Sequence, residues 1–289
     1  MIAQQMVSGL AAGSLYALTA LGLVLIFKNT DVVNFAQGDF GMIAAFVALM
    51  AISQFKVPFV LATLVAIVTT AILAVVVDRL TIRPMKNASM LSLMIATLGV
   101  YMILHGVAGA IWGRDTKAFP SPLPSDPVSV NGVVIGQGHL WILAFGFIIS
   151  AVLFVFFRYT TAGLAMRATA EDRMAARLMG VNVSRIFALT WGVSGALAAV
   201  AGILLAPLVY LSPNMMSDVL VKAYAAAVLG GFGSLPGAIV GGLFIGVAEN
   251  LAGEFISTEL RTTFAFVLIV VVLAVRPTGV FGRRIQAKV

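Results

Sequence analysis

The sequence predicts an all-α fold, a polytopic transmembrane helical bundle of about eight spans plus one short broken or re-entrant helix. Three observations carry that reading. Only 10% of the 289 residues are charged and 61% are hydrophobic, where soluble domains are about a quarter charged and about half apolar. Apolar runs long enough to cross a hydrocarbon core, about 20 residues at about 1.5 Å rise each, recur along the chain. The runs are continuous and rich in Gly, Ala and Leu, unlike the roughly ten-residue alternating segments of a spanning β-barrel.

Taken in order, apolar runs and their breakers place spans at 5–27, 35–54, 57–77, 90–112, 139–157, 186–211, 219–229, 236–252 and 261–275. The first begins Met-Ile-Ala-Gln-Gln-Met, without the positive region of a cleavable signal, and is expected to be retained. The second opens within the polar stretch V-V-N-F-A-Q-G-D-F-G at 32–41, which places Asn34, Gln37 and Asp39 at a turn between spans. Between the fourth and fifth lies a loop, 113–138, with Pro120, Pro122, Pro124 and Pro127, then V-S-V-N-G-V-V-I. Asn131-Gly132 between β-branched residues is a hairpin signal. The seventh run is too short to cross alone. It is separated from the eighth by G-G-F-G-S-L-P-G at 230–237, containing Gly230, Gly231, Gly233, Pro236 and Gly237. Glycine tolerates tight and left-handed backbone, and proline lacks an N–H. Irregular backbone at membrane depth survives only buried in protein or lining a cavity. The segment reads as a broken or re-entrant hairpin within one transmembrane domain, 1–289.

Basic residues set the expected orientation. With the charge-dense segment after Phe157 in the cytoplasm, thirteen of the 18 Lys and Arg residues fall inside. They are Lys28, Arg79, Arg83, Lys86, Arg158, Arg167, Arg173, Arg177, Arg185, Arg276, Arg283, Arg284 and Lys288. Lys56, Arg114, Lys117 and Arg261 fall outside, and Lys222 stays near or within the membrane. The positive-inside bias then puts the N-terminus outside, the C-terminus inside and 113–138 on the outer face. It also accounts for the net charge of +7 without nucleic acid.

Chemistry is sparse. Cysteine is absent, so no thiolate ligand or nucleophile exists. No G-x-x-x-x-G-K-[ST] phosphate loop is present, so ATP is not bound by the usual route, and no metal site or catalytic residue is expected. His105 and His139 have no acidic residue at ligand spacing. Glu249, Glu254 and Glu259 read as a solvated helix end near the outer surface more readily than as a cation site. Lys222, four residues after Asp218, reads as a local pair or as snorkelling toward water. Gly237–Gly241 and Gly242–Gly246 repeat small residues at i, i+4, which lets membrane helices approach closely. The same unwound, glycine-rich segment could flank a path that changes shape.

One charged stretch stands apart, R-A-T-A-E-D-R-M-A-A-R-L-M-G-V-N-V at 167–183, inside the loop 160–185. From 163 to 180 its pattern is helical, with Thr161 or Thr169 as cap, Arg173 and Arg177 in an i, i+4 row and Gly180 as the stop. Ala175 and Ala176 leave a shallow surface that another protein could cover. Glu171 and Asp172 disfavour an anionic bilayer, so a protein partner fits better.

The runs A-x-x-E-D-x-x-A-A-R-L-M-G-V-N-V, N-F-A-Q-G-D-F and G-G-F-G-S-L-P-G-A-I-V-G-G, in register along the chain, resemble the permease subunits of bacterial high-affinity branched-chain amino acid ABC importers. The resemblance implies that Glu171, Asp172, Ala175, Ala176, Arg177 and Gly180 belong to a coupling helix docking on a cytoplasmic ATPase. ATP-driven closure of the ATPase pair would then switch the path between outward- and inward-facing states. It implies two ATP-binding subunits using ATP and Mg, a second homologous permease subunit and a periplasmic solute-binding protein delivering Leu, Ile or Val. It also implies the bacterial inner membrane, with lipid as the surrounding solvent. Asn34, Gln37, Asp39, Gly230, Gly231, Gly233, Pro236 and Gly237 are the expected path or hinge residues. Related permeases carry urea, short amides or sugars. An ATP-independent secondary transporter or channel, or a scaffold without transport, is the reading from another class.

Overall fold

The computed structural model describes residues 2–85, 87–120, 127–130, 133–255, 261–276 and 279–282. Helices dominate, and they follow the apolar runs closely: α1 Ile2–Thr30, α2 Gln37–Ser53, α3 Phe59–Val77, α4 Met90–Trp112 and α5 Gln137–Tyr159. Then come α6 Thr161–Glu171, α7 Arg173–Leu178, α8 Val183–Val209, α9 Ser217–Gly230, α10 Leu235–Phe255 and α11 Arg261–Val275. Strands β1 Pro127–Val130 and β2 Val133–Gly136 form one antiparallel hairpin in which Val130 faces Val133. That register suits the turn expected at Asn131-Gly132, which itself lies outside the described residues, as do Pro122, Pro124, Lys86, Glu259, Arg283, Arg284 and Lys288.

Among the described residues, six helical stretches are long and apolar enough to cross a membrane: Gln4–Thr30, Phe59–Met85, Met90–Trp112, Gln137–Tyr159, Val183–Val209 and Leu235–Phe255. The expected count of about eight differs for a reason of length. The apolar helix α2 has 17 residues and α11 has 15, about 26 and 23 Å at 1.5 Å per residue, against a core of about 30 Å. The 14 residues of α9 match the expectation of a segment too short to cross alone.

The chain divides into two compact units, Met1–Val24 with Leu123–Ile148 and Val219–Val289, and Leu25–Pro122 with Ile149–Asp218. In the second, α2, α3 and α8 pack around Trp191, Phe40, Ala74 and Ala198, all fully buried. A methyl group at Gly202 of α8 would overlap the Gly41 carbonyl of α2, so these backbones touch. In a membrane such close approach, rather than hydrophobic expulsion from water, holds helices together. Outward, α3 and α4 keep Val60, Leu61, Leu64, Leu91, Met102 and Ile103 exposed, as a lipid-facing surface requires. A π-helical turn, Asp78–Ile82, and a 3₁₀ turn, Arg83–Met85, extend α3.

In the first unit α1 lies on α10 through glycine: side chains at Gly13 and Gly242 would run into the facing backbone. The break between α9 and α10 is held the same way. A Cβ at Gly230 would strike Gly237, and one at Gly237 would strike the Gly230 carbonyl. Gly231 at φ +92° makes the turn, a region open to glycine at little cost. Ser234 caps α10 by accepting from Gly237 N at 3.1 Å. The last carbonyls of α9, which have no helical donor, accept from Val280 N (2.8 Å, to Leu229) and Phe281 N (3.3 Å, to Gly230).

Candidate functional site

The charged stretch folds as two helices instead of the single one its pattern implies. Thr160 caps α6 by accepting from Gly163 N at 3.0 Å, and neither Thr161 nor Thr169 does so. At Asp172 the backbone turns extended (φ −153°, ψ 113°), ending α6 and opening α7. Its Oδ1 accepts from Met174 N at 2.8 Å and Ala175 N at 3.0 Å. A carboxylate competes well for free amides at this point and also favours the helix dipole, which is why a pattern read by periodicity alone misses the break. Gly180 at φ +84° stops α7 as expected, with Gly180 N donating to Arg177 O and Val181 N to Ala176 O, both at 3.0 Å.

The outward face of α7 differs from the one expected. Ala176 is 4% exposed and packs inward, while Met174, Leu178 and Met179 are 66%, 81% and 84% exposed. The alanine pair is therefore not a shallow outer surface: its buried member fastens α7 to the chain, and the knob it presents is large and flexible. Arg173 does the same, donating to Asp31 Oδ2 at 2.6 Å and lying over the Phe187 ring at 5.4 Å. Glu171, Asp172, Ala175, Arg177 and Gly180 are exposed around this knob.

The polar turn at 32–41 is folded into the second unit, with Asn34, Gln37 and Asp39 all buried. Asn34 Nδ2 donates to Gln37 Oε1 at 3.0 Å, Gln37 Nε2 to the Ser194 carbonyl at 3.1 Å, and Ser194 Oγ to Gln37 Oε1 at 2.9 Å. This network ties the start of α2 to the middle of α8. Asp39 Oδ1 sits 3.2 Å from His105 Nδ1, a partner that spacing along the chain could not supply. Gly230, Gly231 and Gly237 are buried in the first unit, while Gly233 and Pro236 are exposed.

Two expectations, the snorkelling of Lys222 and the solvated helix end at Glu249, are overturned. Lys222 does not snorkel: its ammonium, 5% exposed, donates to Glu249 Oε1 at 2.6 Å. Nor does Glu249 mark a solvated helix end, since its side chain is 1% exposed and its Oε2 accepts from Tyr16 Oη at 3.0 Å. The Lys222 ammonium also lies 5.5 Å from the centre of the Tyr16 ring. Glu254 does reach the surface, accepting from Gln5 at 2.8 Å. The missed signal was physical: two opposite charges within apolar helices must find each other, because hydrocarbon offers no other partner.

Among the described residues no group of three His, Cys, Asp or Glu side chains is placed to hold a metal. The profile of the family described as "Branched-chain amino acid transport system / permease component" matches residues 5–273. The branched-chain amino acid transport permease LivH of Escherichia coli K12 is 36% identical over 97% of this chain and 95% of its own. LivH of Salmonella typhimurium is 34% identical and BraD of Pseudomonas aeruginosa 35%, each over 97% of this chain and 95% of theirs. No solved structure matches. These relatives are transport permease subunits, and six membrane-length helices make this a multi-pass membrane protein. The chain belongs to the family of permease components of branched-chain amino acid transport systems.

Proposed function

We propose that this chain is one permease subunit of an ATP-driven importer that moves Leu, Ile or Val across the bacterial inner membrane. The observation that carries the reading is α7, a capped and stopped helix in a charged loop, presenting Met174, Leu178 and Met179 to solvent. Exposed methionine and leucine on a short rigid helix are suited to a partner's apolar groove. The partner is a cytoplasmic ATPase, present in two copies and using ATP and Mg. A second homologous permease encloses the other side of the path, and a periplasmic binding protein delivers the solute. The names of the relatives, matched over nearly the whole chain, support the branched-chain substrate.

The topology that fits has the N-terminus outside and the C-terminus inside, which takes an odd number of crossings, so the segment holding α9 and α10 enters and returns to the outer face before the last span, in a single domain. The charge bias of the loops supports it. Force on α7 reaches the spans through Arg173 and Ala176, which tie it to the end of α1 and to α8. The glycine break at Gly230–Gly237 acts as the hinge beside the path. Asn34, Gln37 and Asp39 act as positioning residues that hold α2 on α8 while the spans rock.

The test replaces exposed side chains only. Leu178→Asp with Met179→Asp is expected to reduce co-purification of the ATPase about tenfold or more and to abolish ATP-dependent uptake of Leu, with membrane insertion unchanged. Undiminished uptake in that variant would refute α7 as the docking element, and uptake without any ATPase would favour a channel.

A further inference from the structure

In the second unit α3 and α8 leave an open groove of about 840 Å³, within the roughly 300–1,000 Å³ typical of small-ligand sites. Its walls are apolar, among them Val68, Ile72 and Val75 of α3 and Leu189, Val193 and Ala196 of α8. One end is different. Arg79, Arg83 and Arg185 gather there with Ser184, at the first turn of α8, where the helix dipole adds partial positive charge. Arg83 is already engaged: it donates to Asp78 Oδ2 at 3.0 Å and to the Ser184 carbonyl at 2.6 Å, which ties the two helix ends together. Arg79 and Arg185 remain exposed, and the Arg185 guanidinium has no hydrogen-bond or ion-pair partner among the described residues.

We propose that this groove is a binding site for one anionic phospholipid, with acyl chain along α3 and α8 and phosphate at Arg79 and Arg185. Two features select that occupant. The cations lie at one end only, so the ligand is an anion with an apolar tail. From Val68 to Arg79, and from Arg185 to Ala196, the lining spans 12 residues, whose 11 steps of about 1.5 Å make about 16 Å. That is about half of a hydrocarbon core of about 30 Å, one leaflet deep. A neighbouring transmembrane helix would call for a groove of the full thickness and would bring no phosphate to the arginines. Basic sites between helices at a membrane surface are of the kind that hold anionic headgroups. The site is independent of which solute the permease carries.

The experiment uses the full chain in detergent, offered phosphatidylglycerol or phosphatidylcholine with identical acyl chains and read by native mass spectrometry. Wild type should retain phosphatidylglycerol in preference. Each arginine near an anionic surface is worth about five-fold, so Arg79→Gln with Arg185→Gln should weaken retention about 30-fold and erase the preference. Arg114→Gln, outside the groove, should change nothing, and Ala196→Phe should weaken retention of both lipids. Equal retention of the two lipids by wild type, or an unchanged preference in the double arginine variant, overturns the site. Because the chain has no cysteine, Leu189→Cys supplies a further arm. A cross-link from that position to a protein in native membranes would place a helix in the groove and overturn the lipid assignment.

Discussion

At Lys222, Glu249 and Tyr16 three side chains from distant parts of the sequence share one buried site. Removing one charge strands the other away from water, which costs about 3–5 kcal/mol when a buried pair is broken. Lys222→Met or Glu249→Gln should therefore lower the thermal unfolding midpoint of the detergent-solubilised protein sharply. The double variant Lys222→Met, Glu249→Gln should recover most of the loss, because neither charge remains. A double variant as unstable as the two singles combined would mean that the two charges do not act as a pair. Asp172 is a second residue whose work is local. Asp172→Ala removes two hydrogen bonds to free amides and should cost about 1 kcal/mol of helix stability, a large share for a six-residue helix. The expected readout is weaker ATPase retention with normal membrane insertion.

Elements divide into those that periodicity identifies and those it cannot. The helices α3, α4, α5 and α8 follow from apolar length, because a chain in hydrocarbon must bond its own backbone. The α6–α7 break does not, because an extended residue at Asp172 is set by a side-chain hydrogen bond, not by hydrophobic spacing. The glycine-rich hairpin shows how packing and path separate at this scale. Gly230, Gly237, Gly241, Gly242 and Gly246 all meet facing backbone, so side chains there disrupt packing directly. Gly233 meets nothing within 4 Å. Gly233→Leu is therefore expected to leave folding and ATPase binding intact while reducing Leu uptake, if the break moves beside the path. Full uptake would assign the hairpin to packing alone.

Direction across the membrane belongs to the whole molecule, and the absence of cysteine makes it testable cleanly. A single cysteine at Asp115 should react with a membrane-impermeant maleimide in intact spheroplasts, and one at Met174 only in inverted vesicles. The reverse pattern would invert the topology. Asp172, Gly180 and the hairpin glycines stand out in the sequence as candidate residues, and the structure supplies their geometry. The outward face of α7 was not legible, since it depends on tertiary contacts such as those of Arg173 with Asp31 and Phe187.

The sequence by itself determined the class, the helix positions to within a few residues, the hairpin and the family. All of these rest on composition, apolar length and local turn chemistry, which act between near neighbours. The tertiary structure alone decided that Lys222 joins Glu249, that His105 joins Asp39, and that Arg79 and Arg185 share one groove with two helix faces. Each of those meetings joins residues far apart in the chain: burial away from water selects the partnered polar groups, the packing of α3 on α8 brings the two arginines together, and no spacing along the sequence encodes either.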